Sequence, residues 1–91
     1  MRIDLHPRLL KRAAKLSTTE RQQITAALGS LADGFGNPHQ HSGLGIRRLR
    51  KDLFECRAGR QLRIVLFAEK GLLTAYDVIN HGEVKAWLRS F

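Results

Sequence analysis

The side chains best suited to chemistry crowd into the stretch 45–66, GIRRLRKDLFECRAGRQLRIVL. It carries Arg47, Arg48, Arg50, Lys51, Arg57, Arg60 and Arg63 against two carboxylates, Asp52 and Glu55. Its second half predicts two strands, residues 53–57 and 62–67, joined by a turn over 58–61. Side chains alternate across a strand, so Arg63, Val65 and Phe67 fall on one face and Leu62, Ile64 and Leu66 on the other. Glu55 and Arg57 project to one side in the same way, with Phe54 and Cys56 opposite them. A hairpin that seats arginines among apolar residues is a rigid cationic platform. His81 is the histidine placed at a strand end beside that platform, and an unperturbed pKa of about 6.5 suits it to proton transfer near neutrality.

The bulk numbers point to the same kind of ligand. A chain of 91 residues, 43% hydrophobic and 26% charged, predicts one globular domain over residues 1–91 with a modest core. Its net charge of +8 and pI near 10.9 favour a polyanionic partner, most simply nucleic acid, held in a salt-sensitive way. A basic domain with no anionic ligand is the alternative. The single cysteine, Cys56, excludes an internal disulfide framework and a cysteine-rich zinc site. Beside Phe54 on a strand it reads as a buried structural thiol rather than a reactive one. His39 and His41 stand two apart in a loop with no carboxylate or thiol nearby, so neither a metal nor another cofactor is expected. An N-terminus without an apolar run and a cleavage site, and no window of membrane-spanning character, predict a cytoplasmic protein without membrane contact.

The elements that would position these residues follow from the pattern in chain order. Residues 1–5 (MRIDL) alternate and predict a short strand. His6-Pro7 opens a helix, since proline at the first helical position gives up only an orphan donor. Leu9, Leu10, Ala13, Ala14 and Leu16 mark the apolar side of that helix; Arg8, Lys11, Arg12 and Lys15 mark its solvated side. Residues 17–20 (STTE) have the spacing of a capping box, and the second helix, with Ile24, Ala27, Leu28 and Leu31 at helical spacing, should stop near Gly34. Residues 35–45 are loop by composition. Residues 46–50 predict an irregular strand or a turn, 69–71 a tight turn, 72–79 a strand, and 83–91 a short helix with Val84, Trp87 and Leu88 on one face. The fold class is therefore α+β: an N-terminal short strand and helical hairpin packed on a largely antiparallel sheet of three to four strands, with a short C-terminal helix.

That order, with its LFECRAG and LRIVLF core, resembles the RelE/ParE superfamily of bacterial toxin–antitoxin toxins. The family pattern is a basic stretch, a strand ending in an E-x-R-like segment, a turn, an R-[IV] strand, a further strand, and a histidine or arginine ahead of a C-terminal aromatic. The matching positions are residues 47–51, Leu53-Phe54-Glu55-Cys56-Arg57, Leu62-Arg63-Ile64-Val65, residues 72–79, His81 and Trp87. Element order matches along nearly the whole chain, and residue matches concentrate between positions 49 and 81.

The resemblance implies a cytoplasmic toxin neutralised by a cognate antitoxin protein, touching operator DNA only through that antitoxin. Many such toxins are ribosome-dependent endonucleases that cut messenger RNA and so inhibit translation; others of the same fold poison DNA gyrase and have no nuclease activity. Metal-free RNA cleavage uses the 2′-hydroxyl as nucleophile and needs a proton acceptor, cations for the phosphorane-like charge, and an acid for the leaving oxygen. On that reading Arg63 stabilises the transition state and Arg57 grips a neighbouring phosphate with its planar fork. His81 moves a proton, and Glu55 serves as base or, since guanidinium neighbours weaken it as a base, orients Arg57 or Arg63. The alternatives are structural: an ion pair of Arg63 with Glu55 or Asp77, a surface cation at Arg57, and a helix-start hydrogen bond at His81. Arg47, Arg48, Arg50, Lys51 and Arg60 are assigned to the RNA backbone of ribosome and message, or else form a solvated basic face or a surface for the antitoxin. Trp87 departs from the nuclease pattern, where a tyrosine often stands near the C-terminus. It can stack on a base or pack against the sheet. Three functions stay open: the ribosome-dependent nuclease, the gyrase inhibitor, and a non-toxic basic binding module.

Overall fold

The computed structural model describes residues 2–36 and 43–91; His39 and His41 lie outside the described residues. The elements are β1 (Arg2–Leu5), α1 (Pro7–Ala13), α2 (Thr18–Gly34), β2 (Arg47–Arg50), β3 (Leu53–Ala58), β4 (Leu62–Glu69) and β5 (Leu72–Asn80). A 3-10 turn, His81–Glu83, then leads into α3 (Val84–Ser90).

Local chemistry sets the helix boundaries. His6 caps α1 by accepting the Arg8 N–H on Nδ1 at 3.1 Å, with Pro7 at the first turn. Ser17 and Glu20 close the capping box of α2 reciprocally, each bond 3.1 Å long. At the other end of α2 the Phe35 N–H returns to the Leu31 carbonyl.

The strands form one sheet in the order β1-β5-β4-β3-β2. β2 through β5 are an antiparallel meander, and β1 lies parallel to β5, with Arg2 opposite Leu72 and Leu5 opposite Ala75. Five strands is more than the three to four expected. The RRLR segment pairs with β3 as a full edge strand, with a register shift between Arg48 and Arg50. Arginine at three of its four positions, 47, 48 and 50, leaves no apolar alternation by which to count it.

Both faces of the sheet are covered. α1 and α2 press Leu9, Ile24 and Leu31 onto Cys56, Ala58, Leu62, Ile64, Leu66, Ala75 and Val78. On the opposite face α3 sets Val84 and Trp87 against Leu53, Val65 and Ile79. Leu31, Ile64 and Leu66 are fully buried, each stabilising by roughly 1.5–3 kcal/mol relative to exposure. Leu10, expected on the buried side of α1, is half exposed, because the seven-residue helix turns only Leu9 fully inward.

One irregularity decides which residues meet α3. The β4–β5 register shifts between Val65 and Leu66, which pair with Asp77 and Ala75, so Tyr76 is the extra residue of a bulge. Ala75 and Val78 join the helical-hairpin core, while Tyr76 packs with the α3 core and Asp77 bonds to Trp87. Two successive side chains are thereby aimed at the same face. β1 ends at the level of Ala75, and α1 packs on β5 beyond it.

Candidate cationic cleft

β3 and β4 build the centre of the site. In their register Arg57 stands directly opposite Arg63, and Glu55 opposite Val65 on one side and Arg47 of β2 on the other. Residues directly opposite on one face of an antiparallel pair lie close together, and like charges placed there are destabilising. The opposed arginines are therefore a local cost that the fold itself does not repay.

Neither guanidinium is neutralised by a carboxylate within the described residues. Arg63 donates from Nη1 to the carbonyls of Leu62 (2.9 Å) and Arg60 (3.4 Å), contacts that orient the group and leave its charge in place. Neither Glu55 nor Asp77 is its partner. Arg57 is exposed and has no ion pair among the described residues. Its stem lies on the backbone of Gly45, where φ is +67°; a Cβ there would meet Arg57 Cγ at 3.0 Å and Cδ at 3.2 Å. Gly45 therefore serves both as a left-handed residue and as a wall against which the arginine rests.

Glu55 is 5% exposed and pairs with Arg47, Nη2 to Oε1 at 2.9 Å. Its expected partners were Arg57 and Arg63; the β2–β3 register gives it Arg47 instead, because the RRLR segment is a strand. The other oxygen, Oε2, is buried without a hydrogen-bond partner among the described residues. His81 is fixed by its backbone N–H, which donates to the Gln61 carbonyl at 2.7 Å, and its side chain is exposed. Gly45, Arg47, Glu55, Arg57, Arg63 and His81 together line a cleft of about 340 Å³.

The remaining sequence-stretch cations are not brought into this cleft. Arg48, Lys51 and Arg60 are exposed on the β2 edge and the two neighbouring turns. Arg50 donates from Nη2 to the Leu88 carbonyl at 3.0 Å, which sets a cation at the C-terminal end of α3, where the helix dipole favours it. Trp87, which the sequence left to stack on a base or to pack against the sheet, is 7% exposed and stacked on Phe91 with centroids 4.8 Å apart. Its Nε1 donates to Asp77 Oδ2 at 2.8 Å. It therefore packs against the sheet, with neither face turned to a base in the cleft.

Asp77, fully buried, was not singled out by sequence except as a possible partner of Arg63. It accepts from Trp87, from Arg8 Nε at 2.9 Å, from Arg12 Nε at 3.1 Å and from the Val78 N–H at 2.8 Å. The two α1 arginines expected on a solvated face thus tie that helix to β5 and, through the same carboxylate, to α3. Cys56 is buried, and desolvation pushes its thiol up to about 12, which leaves no thiolate near neutral pH. Among the described residues no group of three His, Cys, Asp or Glu side chains could hold a metal ion, and no helix is long and apolar enough to cross a membrane.

No family model matches the chain, and no curated protein matches it. A solved structure does: the crystal structure of the archaeal RelE–RelB complex from Pyrococcus horikoshii OT3 superposes with a TM-score of 0.70 at 15% identity, covering 89% of this chain and 94% of that one. The fold is RelE-like.

Proposed function

We propose that this protein is the toxin of a type II toxin–antitoxin system and cuts messenger RNA on the ribosome without a metal ion. The observation that carries the reading is the opposition of Arg57 and Arg63 across β3 and β4, in a cleft shared with His81 and Glu55. Two uncompensated guanidinium groups on a stiff hairpin are costly in the free protein and suited to a bound phosphate.

The chemistry is attack of the 2′-hydroxyl on the adjacent phosphorus, with departure of the 5′-oxygen. Arg63, oriented by the Leu62 and Arg60 carbonyls, holds the charge that grows on the phosphoryl oxygens. Arg57 grips the same or the neighbouring phosphate. His81, with an exposed imidazole at the cleft, moves the proton. Glu55, engaged with Arg47, positions that cation at the rim and is a positioning residue rather than the base. The cognate antitoxin covers this basic surface, as RelB accompanies RelE in the archaeal complex, and operator DNA is reached only through it. The setting is the cytoplasm, where messages and ribosomes are.

The test is translation of a defined message in a cell-free bacterial system, followed by primer extension. Wild-type protein should leave ribosome-dependent cuts at fixed codon positions, and folded Arg63→Ala should leave none. An intact message with stalled gyrase and broken DNA would replace the nuclease by a gyrase inhibitor of the same fold. A protein inert in both assays would be a basic binding module.

A further inference from the structure

A second groove opens beside the reacting cleft and has no role in the scheme above. It measures about 620 Å³ and runs between the edge strand and the C-terminal helix, lined by Arg47, Arg48, Leu49, His81, Gly82, Val84, Lys85 and Leu88. Its size is that of a small-molecule site, for which about 300–1,000 Å³ is usual. Its chemistry divides cleanly. Arg47, Arg48 and Lys85 are exposed cations on the two walls, no lining residue is a carboxylate, and Leu49, Val84 and Leu88 supply an apolar floor.

Arg47 and His81 line both this groove and the cleft that holds Arg57 and Arg63. The two spaces are therefore neighbours across a shared wall. We infer that the groove is a subsite for the nucleotide next to the cleaved phosphodiester in single-stranded RNA. The base rests on Leu49, Val84 and Leu88, and the flanking phosphate lies between Arg48 and Lys85. The inference rests on the nuclease reading and extends it. Charge complementarity and continuity with the reacting cleft favour RNA over an acidic protein segment. A phosphodiester chain carries one negative charge per nucleotide, matching cations set along a path, and alternates each charge with a flat base suited to an apolar floor.

Programmed ribosomes test it, with the full-length protein and messages truncated close to the cut on one side or the other. Arg48→Ala/Lys85→Ala alters two exposed side chains, and a thermal melt checks that the fold is kept. On the full message the double variant should cut about tenfold slower or more, the loss expected when charge-assisted contacts to one phosphate are removed. On the message lacking the flanking nucleotide, wild type should slow to the rate of the variant, and the variant should cut as well as wild type. An equal loss on both messages, or no loss on either, overturns the subsite. Normal cutting of every message together with weakened antitoxin binding gives the groove to the protein partner and overturns it as well. If wild type cuts no message, the nuclease reading fails first and takes the subsite with it.

Discussion

Asp77 makes a quantitative prediction because its three side-chain partners differ in exposure. The carboxylate is fully buried, whereas the side chains of Arg8 and Arg12 are 48% and 46% exposed. Removing the arginines and removing the carboxylate should therefore have different consequences. In Asp77→Ala the guanidinium groups turn to water, and the main loss is the acceptor of the buried Trp87 N–H, about 1–3 kcal/mol. In Arg8→Met/Arg12→Met, which keeps the apolar stems, the carboxylate stays buried without a counter-charge. Breaking a buried pair that way costs about 3–5 kcal/mol, reduced to about 2–4 by the half exposure of the arginines. Once Asp77 is gone, the methionine changes should cost about 0.5 kcal/mol or less, as ordinary surface changes do. The coupling is then about 1.5–4 kcal/mol. Chemical denaturation of the four proteins in a double-mutant cycle measures it directly, and for a domain of this size it corresponds to about 6–30 °C in Tm. Additivity within about 0.5 kcal/mol would refute the claim that one carboxylate joins α1 to α3.

Two further predictions concern the cleft and the core. Gly45→Ala should destabilise by about 1–2 kcal/mol through its left-handed φ and push Arg57 off its seat. Message cutting should fall as far as in Arg57→Ala while the melt stays cooperative; undiminished cutting would show that Gly45 does not position the arginine. Cys56 should resist iodoacetamide at pH 8 in the native protein and react once guanidinium unfolds it. Between the ordinary thiol value of 9.0 and its folded value of about 12, the native state holds a proton that the unfolded state has released. Stability should accordingly be unaffected by this group below about pH 9 and decline as pH rises above it. The denaturation midpoint of wild type should fall faster over that range than that of Cys56→Ala, and parallel curves would contradict the assignment.

Much of this architecture was legible in the sequence where one local rule governs. The alternation of β3 and β4 placed Arg63 with Val65 and Glu55 with Arg57, and the structure puts Arg57, Arg63, Glu55 and His81 on one cleft. The start of α1 at Pro7, the capping box at Ser17 and the stop at Gly34 follow from the same local chemistry. What escaped the sequence depends on distant pairing. Strict alternation sends Tyr76 and Asp77 to opposite faces, and the bulge that turns both toward α3 is set by the β4 register. Arg8 and Arg12 look solvated on a helical wheel; they meet Asp77 because β1 is shorter than β5 and leaves its far edge to α1. Trp87 lies on an apolar stripe, which fits packing, but its hydrogen bond to Asp77 has no local signature. Glu55 sits among several arginines, and only the strand character of β2 selects Arg47.

The parallel pairing of Arg2 with Leu72 also has a consequence for when the molecule can form. During synthesis the first strand emerges long before the strand it must join, and loop-closure entropy delays such distant pairings. α1 is in the same position, because its arginines await Asp77, and His81, which lines the cleft, follows later still. A nascent chain can build the β3–β4 hairpin with its two arginines but can neither close the sheet nor complete the cleft. Any activity that needs the closed sheet and the completed cleft is therefore absent while most of the chain is still being made. The same topology leaves β1 and α1 undocked until the end, so a partner that recognises the finished surface has nothing to recognise in a prematurely released fragment.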